Sequence, residues 1–218
     1  MHLLTSASLR NIFYNGKLLF FILLCIGQTA CASEKVWNLE VEERQRLSSA
    51  LLAGGCFWCM VGPFEKEDGV YEVISGFTGG TETDPTYQDV VRGRTSHVEA
   101  VEIYYDPKKI SFSDLLSIYW QQIDPTDDQG QFADRGAHYR PAIFVKNEEE
   151  RSVAEDSLEA IARSGRFSQP IVVTIEEAGP FYKAPDEHQY FYRTRSTHYN
   201  RYFEGSGRKA FLEQNWKK

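Results

Sequence analysis

The stretch "SALLAGGCFWC", Ser49 to Cys59, decides how this chain is read. A short apolar run ends in Gly54 and Gly55, the pattern of a buried strand entering a tight turn. Two thiols follow at once, Cys56 and Cys59, three residues apart with Phe57 and Trp58 between them. In a helix beginning there, residues i and i+3 share a face, and their sulfurs come within bonding distance. Free N–H groups at a helix start favour a thiolate, and glycines let backbone amides approach it. Cys56 is therefore expected to be a nucleophile of lowered pKa, with Cys59 as the thiol that resolves it.

Working outward, helical residues run from Cys56 to Glu67, with Pro63 as an interruption or kink. "VYEVISGFTGG" (Val70–Gly80) is strand-like, and "HVEAVEIYYDP" (His97–Pro107) alternates Val98, Ala100 and Tyr104 with Glu99, Val101 and Ile103. Apolar residues at 112, 115, 116, 119, 120 and 123 have helical spacing. "RPAIFVKN" and "PIVVTIEEA" read as further strands. Between them lies an amphipathic helix, Glu148–Gly165, stopped by its glycine. From Pro180 the chain is dense in aromatics and Arg, which predicts irregular structure wrapping the domain.

Residues 1–32 carry Arg10 and Lys17, no acid, and the apolar run "LLFFILLCIG" (Leu18–Gly27), too short to span a bilayer. Ala30 and Ala32 then fit the small-x-small pattern of a cleavage point. This predicts a secretory signal peptide over 1–32, a polar leader over 33–48 with some helix, and a catalytic domain over 49–218. The protein is expected to be exported, periplasmic or secreted. A lipoprotein modified at Cys31 is the lesser alternative, because Gln28 stands where such sites carry an apolar residue. Losing residues 1–32 removes two of 24 basic and none of 31 acidic residues, so the formal charge moves from −7 to −9. Such an acidic domain argues against nucleic acid as a partner. No further long apolar run follows, so no stable membrane insertion is expected after cleavage. A monomer is expected.

Cleavage also leaves only Cys56 and Cys59, which points to chemistry rather than a disulfide scaffold. A closed zinc site needs four ligands. The chain offers no second Cys pair, and its remaining histidines (His97, His138, His188 and His198) form no H-x3–5-H pair. No metal is expected. Two buried structural thiols fit poorly at a glycine-rich turn. A redox dithiol remains, but Phe57 and Trp58 are unusual between the thiols of a disulfide exchanger. Beside a nucleophile they could form an apolar pocket for a methyl group, or simply be core.

At this point "GCFW" resembles the catalytic motif of the type A peptide methionine sulfoxide reductases. "GFTGG" (Gly76–Gly80), "PTYQDV" (Pro85–Val90), "SHVEAV" (Ser96–Val101), "YDPKKIS" (Tyr105–Ser111), "DRGAHYR" (Asp134–Arg140) and "PFY" (Pro180–Tyr182) are similar to that family's blocks, in its order. The likeness covers roughly residues 49–190. It implies that Cys56 attacks the sulfur of methionine-S-sulfoxide, free or in proteins, and that Glu99 is the acid for its oxygen. A carboxyl in that strand, among Val98, Ala100 and Val101, fits a low-polarity site with a raised pKa. Tyr87 and Tyr139 would hold the oxygen, Asp134 would help form the pocket, and Phe57 and Trp58 would wall the methyl group. No cofactor is implied; a thioredoxin-like protein, or dithiothreitol, would serve as reductant. Together with the alternation of elements, the expected fold is a single α+β domain. Its mixed β-sheet would be flanked by helices in a ferredoxin-like-related two-layer core, with a long irregular C-terminal segment.

One departure matters. Many members of the family have Gly at the position of Cys59 and carry resolving cysteines in a C-terminal tail. Here the tail "GSGRKAFLEQNWKK" has none. The missing tail thiols and the extra motif thiol are consistent with each other, which assigns resolution to Cys59. The alternative function is a thioredoxin-like thiol–disulfide oxidoreductase, for which Glu99 would have little use. A module that only binds oxidised methionine would not need two thiols placed for turnover.

Overall fold

In the computed structural model, which describes residues 39–216, a short helix α1 (Val41–Arg44) leads into the strand expected after it, β1 (Ser48–Gly54). The expected signal peptide, Cys31 and the first part of the expected leader lie outside the described residues. The chain continues through α2 (Phe57–Glu65), β2 (Val70–Thr78), α3 (Tyr87–Val91), β3 (Val98–Tyr105) and α4 (Phe112–Trp120). A small hairpin, β4 (Gly130–Gln131) and β5 (Asp134–Arg135), precedes β6 (Pro141–Val145), α5 (Glu148–Arg163), β7 (Thr174–Glu177) and β8 (Tyr182–Lys183). Three helices end the described chain: α6 (Phe191–Thr194), α7 (Ser196–Gly205) and α8 (Arg208–Trp216).

Six strands form one mixed sheet in the order β7-β6-β1-β3-β2-β8. Only β6 and β7 run parallel. The succession β1-α2-β2-β3-α4-β6 places its strands as β6-β1-β3-β2, the split βαββαβ arrangement of the expected two-layer core. One sheet face meets the helix layer: Leu52, Phe77, Val101 and Ile103 share a cluster with Met60 and Phe64 of α2 and Leu115 and Tyr119 of α4. The opposite face buries Leu51, Ala53, Val98 and Phe144 under Ala178 and Phe181. Both faces being covered explains why β1 is apolar without alternation.

Three elements differ from the expectation, each for a local reason. Helix α2 passes through Pro63 and ends two residues later, at Glu65. Strand β7 begins only at Thr174, because Pro170 has no N–H to give and the Val172 N–H is donated to Pro125 O at 2.8 Å rather than to the sheet. The irregular C-terminal segment is a correction: beyond Tyr190 the tail is largely helical. Tyr199, Tyr202 and Phe203 fall at i, i+3 and i+4, so rings supply the helix face that aliphatic residues usually mark.

Candidate active site

The turn after β1 has little room for side chains. Gly55 has φ +80°, and a Cβ there would lie 2.5 Å from Gln131 Cβ and 2.9 Å from Arg208 Nη2. Gly55→Ala should therefore lower stability by about 2 kcal/mol or more, from left-handed backbone strain plus overpacking. A fall in the urea midpoint at unchanged m is the expected reading.

Cys56 follows as the N-cap of α2, and the Cys59 N–H is donated to Cys56 O at 3.0 Å, closing the first turn. Both thiols are free, hydrogen-bonded to each other, and only 6% and 1% exposed. The expected lowering of Cys56 is not what the site produces. Burial first, then the hydrogen bond to Cys59 and the charge of Glu99, hold its thiol well above the usual range. Cys59 is instead pulled down, first by the hydrogen bond from Cys56 and then, against burial, by the Arg208 guanidinium. In this reduced pair, the negative charge is favoured on Cys59.

Glu99 pairs across the sheet with Phe77 and so faces the helix layer and the start of α2. It is 2% exposed, and its Oε2 accepts from the Phe57 N–H at 3.1 Å. Burial pushes its carboxyl up to about 8; the Phe57 hydrogen bond opposes this, and the charges of Asp134 and Cys59 add to it. At neutral pH this is a protonated acid one residue away from the nucleophile's helix cap.

Tyr87 opens α3, whose Thr86 cap accepts from the Asp89 N–H at 3.2 Å, and Tyr139 closes a 3-10 turn over Ala137–Tyr139. Both phenols are raised by burial and then by Glu99 and Cys56, Tyr87 to about 12. They stay protonated donors, close enough to the acid and the thiol to feel the charge of each. Asp134, in β5, accepts a hydrogen bond from Tyr202 of α7; burial still raises its carboxyl. The two rings of the motif separate in role. Phe57 is 1% exposed, packed between Phe77 and His188 at ring distances of 6.0 and 5.6 Å. Trp58 is half-buried and stacks on Phe191 at 3.8 Å, and its Nε1–H is donated to His188 Nδ1 at 3.3 Å.

The structure thus gathers all eight residues expected at the site around one turn. It adds four that sequence reasoning missed, all from the tail: His188, whose ring lies 4.1 Å from Tyr87, with Phe191, Tyr202 and Arg208. Their one signal was the density of rings and Arg beyond Pro180. Among the described residues, no group of three or more His, Cys, Asp and Glu side chains could hold a metal ion.

The family model for peptide methionine sulfoxide reductase matches residues 48–218. Peptide methionine sulfoxide reductase MsrA of Listeria innocua is 51% identical over 174 residues, covering 80% of this chain and 98% of the relative. That of Streptococcus agalactiae is 53% identical over 170 residues, covering 78% and 99%. Of solved structures, methionine sulfoxide reductase A of Corynebacterium diphtheriae has a TM-score of 0.61 at 29% identity, over 69% of this chain and 76% of that one. Reduced Mxr1 of Saccharomyces cerevisiae shares the fold, with a TM-score of 0.65 at 23% identity, over 75% and 93% of the two chains.

Proposed function

The chain belongs to the peptide methionine sulfoxide reductase family, and on that premise we propose how its own residues carry out the thiol-dependent reduction of methionine sulfoxide. The observation that carries the reading is Glu99: a buried carboxyl, protonated at neutral pH and bonded to the amide beside Cys56. A sulfoxide sulfur is a poor electrophile until its oxygen is protonated or strongly hydrogen-bonded, and this acid is placed to do that.

The substrate oxygen lies among Glu99, Tyr87 and Tyr139, and its methyl group lies against Trp58. Asp134, tied to Tyr202, closes the polar side. Cys56 sulfur bonds to the sulfoxide sulfur as Glu99 gives its proton to the oxygen, and the Cys56 thiol proton replaces it on Glu99; the new S–S bond and the sulfoxide S–O bond then break. The oxygen passes to Cys56 as a sulfenic acid, and methionine departs as a thioether. Sulfur in the substrate is reduced by two electrons and sulfur in Cys56 is oxidised by two. Cys59 then condenses with the sulfenic acid to give a disulfide and water. A thioredoxin-like protein restores both thiols by exchange.

We take the enzyme to act as a monomer on free or protein-bound methionine-S-sulfoxide, after export by the signal over residues 1–32. Export into an oxidising compartment requires that the reductant be exported as well. The three-point arrangement of nucleophile, oxygen donors and methyl wall fits one sulfoxide epimer. With dithiothreitol and a peptide containing one or the other epimer, the S form should be turned over and the R form left. Equal turnover of both would overturn the type A reading, and no turnover of either would favour the disulfide exchanger.

A further inference from the structure

We propose that Arg208 is a positioning residue for the second half of this cycle. From the C-terminal helix it fixes the turn before Cys56 and sets a buried positive charge near Cys59, so that Cys59 attacks the oxidised Cys56 as a thiolate. The proposal rests on the reading of Cys59 as the resolving thiol.

Arg208 is 1% exposed, although its side chain ends in a charge that never leaves it. Its Nη2 donates to Gly54 O at 3.0 Å, its Nη1 donates to Gln122 O, and its guanidinium lies 4.6 Å from the Phe132 ring centre. Both carbonyls are neutral, so they orient the cation without cancelling it; the Asp134 carboxyl also acts on it, although burial raises that group and Tyr202 already holds it. Gly54 O belongs to the last residue of β1, two positions before Cys56, and Nη2 also fills the space a side chain on Gly55 would need. A buried charge costs several kcal/mol of lost hydration. Hydrogen bonds to two carbonyls could be made by an uncharged amide, so the charge itself asks for a use.

The groups that act on Cys59 are Cys56 before α2, Glu99 of β3, Asp134 of β5, Tyr199 and Tyr202 of α7, and Arg208 of α8. Of these only Arg208 is a cation; the others repel a thiolate or leave it unaided, apart from the Cys56 hydrogen bond. That bond is lost when Cys56 becomes a sulfenic acid. At the moment of resolution, then, Arg208 is the charge left to favour the attacking form. In that step Cys59 sulfur bonds to Cys56 sulfur, the S–O bond of the sulfenic acid breaks, and the oxygen leaves as water with the proton held by Glu99. The oxidation state of Cys59 sulfur rises by one and that of Cys56 sulfur falls by one, as the attacking pair becomes the shared S–S bond.

The experiment is a single turnover of the reduced full chain on a methionine-S-sulfoxide peptide without reductant, from pH 5.5 to 9.5. Methionine formation reports the first step; loss of a sulfenic acid trapped by a 1,3-dione reports the second. In wild type the disulfide step should have its midpoint below the ordinary thiol value of about 8.5. Arg208→Met should slow that step about tenfold more than it slows methionine formation, and move its midpoint to higher pH by about one pH unit. Arg208→Lys should restore most of both. Equal slowing of the two steps, an unmoved midpoint, or a Lys variant as poor as Met would overturn the proposal while leaving Cys59 as the resolving thiol. If Arg208→Met does not fold, a wild-type midpoint at or above about 8.5 overturns it by itself. A wild-type chain that forms no Cys56–Cys59 disulfide would overturn the resolving role, and this proposal with it.

Discussion

Glu99→Gln is expected to lower single-turnover methionine formation by about 10²–10⁴-fold, the usual range for losing a positioned general acid. Gln keeps the size of the side chain and still accepts the Phe57 N–H, so the loss isolates the proton. Its pH dependence is equally specific. With the carboxyl pushed up to about 8, the wild-type first step should fall as pH rises through that value, because the acid is then ionised. The variant should lack that limb. A variant within threefold of wild type at pH 7 would remove Glu99 from the mechanism. Stability should move the other way. Below about pH 4 both the folded and unfolded wild-type chains hold the proton, and the variant gains nothing. Between there and about pH 8 the unfolded carboxyl is ionised while the folded one is held neutral, so the wild-type fold loses stability steadily with rising pH. Glu99→Gln escapes that loss and should be more stable by on the order of 3 kcal/mol at pH 7. Urea midpoints of the two proteins should coincide near pH 4 and diverge above it.

The same residue shows what can be read in the chain and what cannot. A carboxylate third in "HVEAVEIYY" must point to one sheet face, and that face carries Val101, Ile103 and Tyr105 at every second position beyond it. The strand pattern by itself leaves the choice of face open, since Val98 and Ala100 are apolar as well; the resemblance to the family chose the buried face, and the charges of Asp134 and Cys59 add to the shift from afar. The turn at Gly54–Gly55 and the helix beginning at Cys56 are legible, since glycine pairs and i, i+3 spacing act over a few residues. The Cys56 thiol is different. A helix start taken by itself lowers a thiol, but here burial and the charge of Glu99, 43 positions away, act against it. No local pattern carries that sum. The tail is harder still: Arg208 lies 154 positions from the Gly54 carbonyl it holds. Nothing in its neighbours Gly207 and Lys209 says that the charge between them is buried. The Trp58 pocket is likewise closed by His188 and Phe191, from a segment whose rings follow no strand or helix period.

Cys59→Ser is expected to give one equivalent of methionine per chain and then stall, with multiple turnover by a thioredoxin system reduced by about 10²-fold or more. The first step needs Cys56, Glu99 and the oxygen donors; a hydroxyl in place of the Cys59 thiol leaves each of them in position and still offers Cys56 a hydrogen-bond partner, removing only the charge that helps to raise Cys56 and Glu99. The second needs a sulfur within bonding distance of Cys56, and beyond residue 32 the chain has no thiol other than Cys59 to provide it. The oxidised product would then be a sulfenic acid on a residue only 6% exposed as the thiol, which a protein reductant reaches poorly and a small one reaches better. Dithiothreitol should therefore rescue part of the lost turnover and thioredoxin almost none. The contrast separates a missing resolving thiol from a damaged first step, because damage to the first step would lower methionine release with both reductants alike. Repeated turnover of Cys59→Ser with the thioredoxin system at the wild-type rate would show that the reductant attacks the sulfenic acid itself. Cys59 would then be a neighbour that only shares the proton of Cys56.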